Sequence, residues 1–286
     1  MKITVPASSA NLGPGFDSIG LAVSLYLTVT DLGKADEWTV EHDLPGLPTD
    51  QSNLIVQSAL EVDSNLAPHR IAVDCDIPAA RGLGSSSAAI VAGLVLGNEL
   101  AGRPRTDAEL LQMAVADEGH PDNATPAFKG GLAVSAYLPD QFTTIPLTLP
   151  TMSLVAFIPH FELKTSKARA ALPKTLQYHD AIMASAVGNT LVAALATQNM
   201  KAVGRLVESD RFHEPYRASL VPHLKVIRRL GHEQGAYGTY LSGAGPTVMS
   251  FCPVDREEGL VTAIKGAQLD GEVKVLRPDL TGVRIT

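Results

Sequence analysis

A chain of mixed α and β structure in two units, residues 1–145 and 146–286, is what the sequence predicts. Three observations carry that reading. Short alternating stretches recur through the first 140 residues between helix-length apolar runs. The clearest sets Ile71, Val73, Cys75 and Ile77 on one face against Ala72, Asp74 and Asp76 on the other. A Pro/Thr-rich stretch, Pro139 to Pro150, reads as a connection. Beyond it, helical spacing of apolar residues dominates from Asp180 to Glu233.

In order, strands are expected around 2–6, 20–31, 37–42, 70–77 and 131–137, and helices around 53–63, 85–101 and 106–117. Asn53 opens the first of these helices as a cap. The second is almost wholly apolar, from Ala88-Ala89-Ile90-Val91 through Leu94-Val95-Leu96, as a buried helix would be. Glu118-Gly119-His120-Pro121-Asp122-Asn123 reads as a helix C-terminus followed by a turn. The second unit starts with an apolar strand, Ser153 to Ile158, and continues with helices over Asp180–Gln198, Met200–Ser209 and Pro215–Glu233. Strands at 237–241 and 247–252, a helix at 256–267 and strands at 272–277 and 282–285 complete it. There is no internal repeat or low-complexity tract.

Composition narrows the function. A chain with 45% hydrophobic and 19% charged residues is not a disordered one. No apolar run reaches membrane-spanning length, and Met1-Lys2-Ile3-Thr4-Val5-Pro6 lacks the core of a signal peptide, so a cytoplasmic protein without membrane contact is expected. A net charge of −7 with no basic run argues against nucleic acid as a partner. Cys75 and Cys252 are expected as buried apolar fillers, neither bridged nor metal-bound.

The most informative segment is Pro78-Ala79-Ala80-Arg81-Gly82-Leu83-Gly84-Ser85-Ser86-Ser87-Ala88. It lies between a strand and an apolar helix, the arrangement that turns free backbone N–H groups and a helix dipole toward an anion. Gly82 and Gly84 let the backbone approach closely, and three serines add hydroxyl donors. No Gly-Lys-Ser/Thr closes the segment, so it is a phosphate cradle of a kind other than the P-loop. An acidic protein that binds a polyanion needs local positive charge, for which Mg2+ is the usual supplement.

The string Pro-x-x-x-Gly-Leu-Gly-Ser-Ser-x-Ala resembles the nucleotide loop of the kinase superfamily named for galactokinase, homoserine kinase, mevalonate kinase and phosphomevalonate kinase (GHMP). Two more segments agree with it in the right order. Pro6-Ala7-Ser8-Ser9-Ala10-Asn11-Leu12-Gly13-Pro14-Gly15-Phe16-Asp17 is similar to the opening motif of homoserine kinases, and Leu241-Ser242-Gly243-Ala244-Gly245-Pro246-Thr247 to the third superfamily motif. By themselves these two would be a hairpin loop and a strand–turn–strand. The resemblance implies an α+β, two-domain GHMP kinase fold, ribosomal protein S5 domain 2-like at the N-terminus with a left-handed crossover, and ferredoxin-like at the C-terminus.

The resemblance also implies roles. The loop from Pro78 to Ala88, with Asn53 near the adenine, would hold ATP. Glu118 would ligate Mg2+ together with Ser86, with Asp117 as the rival carboxylate. Asn11, Asp17, His120, Asn123, Arg169 and Arg217 would surround the amino acid, with Asp17 facing its ammonium and the two arginines its carboxylate. Each arginine alone would be an ordinary surface residue. Thr165-Ser166-Lys167-Ala168-Arg169 and His213-Glu214-Pro215-Tyr216-Arg217 are what set them apart. Mevalonate and galactose kinases carry an Asp where Asn123 stands, and an amide cannot accept the hydroxyl proton. A mechanism without a strong general base is therefore implied, in which Asn123 orients the hydroxyl. The expected activity is phosphorylation of L-homoserine by a homodimeric enzyme. A mevalonate- or sugar-type kinase, or a non-catalytic ligand sensor on the same fold, are the alternatives.

Overall fold

The computed structural model describes every residue except Asp140. Lys2–Ala10 (β1) and Ile19–Lys34 (β2) pair antiparallel, with a register shift between Pro6 and Ala7. β2 is long enough to change neighbours. Its start pairs with Leu132–Leu138 (β5) and its end with His69–Cys75 (β4). Thr39–Glu41 (β3) runs parallel to β4 after a connection through Leu54–Val62 (α1). Alternating burial in β2, with Leu25, Leu27 and Val29 inside and Tyr26, Thr28 and Thr30 between them, is the period of two that a one-sided sheet requires.

Ser85–Leu100 (α2) is buried on nearly every side, between the sheet and the helices α1 and Asp107–Glu118 (α3). Thr106 and Glu109 form a reciprocal capping box at the start of α3. Pro121–Lys129 (α4) packs on β1 and β2, and Gln141–Leu147 (β6) adds to β5.

The second sheet begins at Ser153–Pro159 (β7). Thr165–Ala170 (α5), Tyr178–Ala196 (α6), Met200–Val207 (α7), Glu214–Arg217 (α8) and His223–Gln234 (α9) follow. Gly238–Leu241 (β8), Val248–Cys252 (β9), Glu257–Gly266 (α10) and Gly271–Leu276 (β10) complete this unit. Its order is β10-β7-β9-β8, antiparallel throughout, which is the 4-1-3-2 order of a ferredoxin-like sheet. Leu154, Ala156 and Ile158 face a core shared with the first sheet, while Val155 and Phe157 join a second core with α9 and α10. Arg284–Ile285 (β11) returns to pair with β1.

Three expectations differ from the structure. The stretch read as a connection, Pro139 to Pro150, contains β6, and residue 145 lies inside that strand. Pro146 is tolerated there because β6 is an edge strand with no neighbour to receive its missing N–H. The turn read at Gly119–Asn123 is the entrance to α4, with Pro121 in the first helical position, where its fixed φ is already helical. The helix read over Pro215–Glu233 is two helices, because Pro222 cannot continue α8 and instead stands just before α9. Cys75 and Cys252 are both free thiols, the latter fully buried. Among the described residues, no helix is long and apolar enough to cross a membrane.

Candidate active site

The three glycine-rich segments converge. Ser242 Oγ donates to the Gly82 carbonyl at 2.7 Å, the Thr247 N–H to the Arg81 carbonyl at 3.3 Å and the Ser8 N–H to the Leu83 carbonyl at 3.1 Å. Ser9 Oγ shares a hydrogen bond with Ser242 Oγ at 2.8 Å. The loop after β4 thus lies on backbone and hydroxyl groups from both ends of the chain. Gly82 has φ +73°, and a Cβ there would overlap the Ser242 carbonyl. Gly84 is the left-handed N-cap of α2 and offers no side chain to the first turn. The amides at the start of α2 therefore lack a side-chain cap and point out as an anion cradle.

Two cavities meet at this loop. The larger, about 730 Å³, is lined by Asn53, Leu54, Ile77, Pro78, Ala79 and Ile158 among others, a size and apolar character suited to a cofactor-sized ligand. The smaller, about 210 Å³, holds most of the charged groups. Ala80, Arg81, Ser85 and Ser86 line both. Leu83 and Ala88 are buried and anchor the loop from within, and Ser87 is buried at the rim of the smaller cavity. Two side chains here have structural partners. Asn53 caps Ile55 N–H at 3.0 Å and donates to the Pro48 carbonyl at 2.7 Å. Arg81 donates to the carbonyls of Pro159, Ala79 and His160, which ties the loop to the end of β7.

The smaller cavity is assembled by the reversal between α3 and α4. Glu118 is the last residue of α3, and Gly119 in the left-handed region (φ +77°) turns the chain. His120 then precedes α4, whose first turn carries Asp122 and Asn123. His120 Nδ1 lies 2.6 Å from Asp122 Oδ1. Burial works against the imidazolium, but the hydrogen bond and charge of Asp122, with Asp17 and Glu118 nearby, hold its pKa above the ordinary value. Asn123 Oδ1 accepts from Ser8 Oγ at 2.9 Å. Among the described residues, buried Glu118 Oε1 has no hydrogen-bond partner, while Oε2 lies 3.9 Å from His120 Nε2. A buried carboxylate oxygen without a partner calls for a cation or a donor.

Opposite stand the two arginines. Arg169, on α5, makes a bidentate pair with Asp17 at 2.8 and 3.1 Å. Burial disfavours its cation, yet Asp17 more than offsets this and the pKa is raised. Arg217 is 1% exposed. Burial and the neighbouring Arg169 charge pull it down to about 10, so it stays cationic at neutral pH. Both guanidinium groups lie 5.6 Å from the Phe16 ring centroid. Asn11 (φ +71°) receives the Asp17 N–H on its side-chain oxygen and donates to the Gly243 carbonyl, each at 3.0 Å. Its amide thus sets the position of Asp17.

Asn11, Asp17, Ser86, Glu118, His120, Asn123, Arg169 and Arg217 all line the one cavity. Asp117 does not. It is exposed on the far side of α3 beside Glu61, whose pKa partial burial and the Asp117 hydrogen bond and charge push up to about 7. Sequence reasoning gave no role to Asp122, Phe16, Ser8 or His213. All four stand in segments already singled out, Ser8 and Phe16 in Pro6–Asp17, Asp122 in Glu118–Asn123 and His213 in His213–Arg217, so each had a local signal.

Comparison with known proteins agrees with this geometry. Residues 53–131 match the family model for the GHMP kinases N terminal domain, and residues 191–267 that for GHMP kinases C terminal. Homoserine kinase of Streptococcus thermophilus (strain CNRZ 1066) is 50% identical over 283 residues, covering 99% of both chains. That of Limosilactobacillus fermentum is 51% identical over 286 residues and all of both chains. The crystal structure of homoserine kinase from Cytophaga hutchinsonii superimposes with a TM-score of 0.88 at 27% identity, over 100% of this chain and 97% of that one. With a glycine-rich loop that leaves the first amides of α2 uncapped, a charged pocket beside it and full-length relatives at half identity, this chain belongs to the homoserine kinases of the GHMP kinase family.

Proposed function

We propose that this chain transfers the γ-phosphoryl group of ATP to the side-chain hydroxyl of L-homoserine, giving O-phospho-L-homoserine, a step of threonine biosynthesis. The observation that carries this reading is the charge complement of the smaller cavity. Of its three carboxylates, Asp122 is engaged with His120 and Glu118 fits the metal, which leaves Asp17 and the two guanidinium groups of Arg169 and Arg217 for the substrate beside the phosphate cradle. An α-amino acid brings one ammonium and one carboxylate to such a site. In this reading its ammonium takes Asp17 and its carboxylate takes Arg169 and Arg217, so the Asp17–Arg169 pair is exchanged for pairs with the substrate. A mevalonate- or sugar-type substrate has no ammonium for Asp17, and a silent sensor would have no use for Glu118 with its unpartnered buried oxygen.

ATP would lie with its base in the larger cavity and its phosphates on the amides and hydroxyls of Ser85 and Ser86. Phosphoryl transfer is mostly positioning and charge neutralisation. Glu118 and Ser86 fit as the protein oxygens for Mg2+, a hard cation that keeps several waters. When bound, the ion would neutralise charge on the transferring group. Asn123, fixed by Ser8, orients the attacking hydroxyl, and His120 is held by Asp122 at the edge of the same cavity. The carboxylates of Asp17 and Asp122 already have cationic or imidazole partners, so the hydroxyl proton leaves with the transfer rather than to a strong base. A cytoplasmic homodimer completes the proposal. Tyr178, Ile182 and Met183 on the exposed face of α6 form an apolar surface for such a contact.

The carboxylate clamp is tested by Arg217→Lys. Lys offers a point charge where a planar fork fits the carboxylate, so KM for homoserine is expected to rise about tenfold. KM for ATP should stay within twofold. L-Homoserine amide, which keeps the side-chain hydroxyl but has no carboxylate, should be a poor substrate of the parent enzyme. Equal kcat/KM for the amide and homoserine would remove the clamp from the site.

A further inference from the structure

His213 is fully buried at the back of the smaller cavity, and its ring nitrogens have different partners. Nε2 lies 2.9 Å from the Gly13 carbonyl, which can only accept. Nδ1 lies 3.1 Å from Arg217 Nη1, which can only donate. The two contacts together require the neutral tautomer with its proton on Nε2, and the Asp210 carboxylate 3.6 Å from Nε2 favours the same side. Among the described residues, Arg217 is otherwise fixed only through carbonyls, Ala168 by Nε at 3.2 Å and Gly243 by Nη1 at 3.1 Å. The imidazole also stacks on Phe16, with centroids 5.3 Å apart. One side chain therefore touches Arg217, the ring under both guanidinium groups, and the loop that carries Asp17.

We propose that His213 is a positioning residue for the amino-acid substrate, its Nδ1 lone pair aiming the Arg217 guanidinium and its Nε2–H holding the Gly13–Asp17 loop. The proposal rests on the reading of Arg217 as a carboxylate ligand. A histidine that merely fills space would affect stability without selecting between the two substrates.

Two amides separate its two contacts. In His213→Asn the side-chain oxygen stands where Nδ1 was and can still accept from Arg217. In His213→Gln the amide nitrogen reaches the Nε2 position and can donate to Gly13, but the acceptor for Arg217 is lost. Losing a hydrogen bond to a charged group raises KM for homoserine about tenfold in His213→Gln and His213→Ala, with KM for ATP within twofold. His213→Asn is expected to recover most of that rise. Equal KM values in the Asn and Gln variants, or a larger rise in Asn, would overturn the proposal. Arg217→Lys run alongside separates the failures. If it raises KM while His213→Gln does not, only the role of His213 falls; if it leaves KM unchanged, the carboxylate clamp falls and this proposal with it. Nitrogen NMR of the parent enzyme does not depend on any variant folding. His213 must show a protonated Nε2 and a bare Nδ1, and a protonated Nδ1 would overturn the assignment.

Discussion

Glu118→Gln is expected to lower kcat by about 100-fold or more while leaving KM for homoserine nearly unchanged. Removing one preorganised charge-stabilising contact from a transferring group costs on that order. The side chain stands at the end of α3 with Oε1 buried and unpartnered, an arrangement that a stability role would not leave in place. The amide keeps the shape and removes the charge, so the fold should persist and the Mg2+ concentration for half-maximal activity should rise. Asp117→Asn is the control, because Asp117 faces Glu61 and solvent. An active Glu118→Gln beside an inactive Asp117→Asn would move the ligand to Asp117.

Gly84→Ala is expected to lower kcat/KM for ATP by about 30- to 100-fold. Gly84 has φ +69°, where an L side chain costs about 1–2 kcal/mol. The added Cβ would overlap Ser8 Oγ and come 3.0 Å from Asn123 Oδ1. Displacing the Ser8–Asn123 hydrogen bond costs a further ~1 kcal/mol. The loop and Asn123, proposed to orient the hydroxyl, would be disturbed together. Ser8→Ala in the same chain removes the overlapping oxygen, so the double variant should recover part of the loss. Steady-state kinetics at saturating homoserine measure both, and full activity in Gly84→Ala would show that the loop does not hold the phosphates through this close approach.

Local features were legible in the sequence and non-local ones were not. The phosphate loop, the apolar α2 and the strand β4 are written in consecutive residues, and they stand where period and glycine placement put them. β6 and the division of α8 from α9 were misread at Pro146 and Pro222, because a proline's meaning depends on whether its missing N–H faces solvent or a neighbour. α4 was misread as a turn although Pro121 signals a helix start as readily as a loop. Within the site, the ionisable residues named from the motifs share one cavity, except Asp117. Their pairings were hidden. Asp17 and Arg169 were assigned to opposite ends of a ligand and here hold each other, and Asn11 is engaged with Asp17 and Gly243. Arg81 looks like a phosphate ligand by position, yet all its nitrogens meet carbonyl groups. Such partners come from segments far apart in the chain, which no local pattern encodes.

The central claim is that one cavity holds an amino acid while its neighbour presents a phosphoryl group. Phosphorus NMR of the purified enzyme with ATP, Mg2+ and L-homoserine tests it directly. O-phospho-L-homoserine and ADP are expected in equal amounts, with no comparable turnover of mevalonate or galactose under the same conditions. ADP without a phosphorylated amino acid, or a higher kcat/KM for mevalonate or galactose than for homoserine, would contradict it.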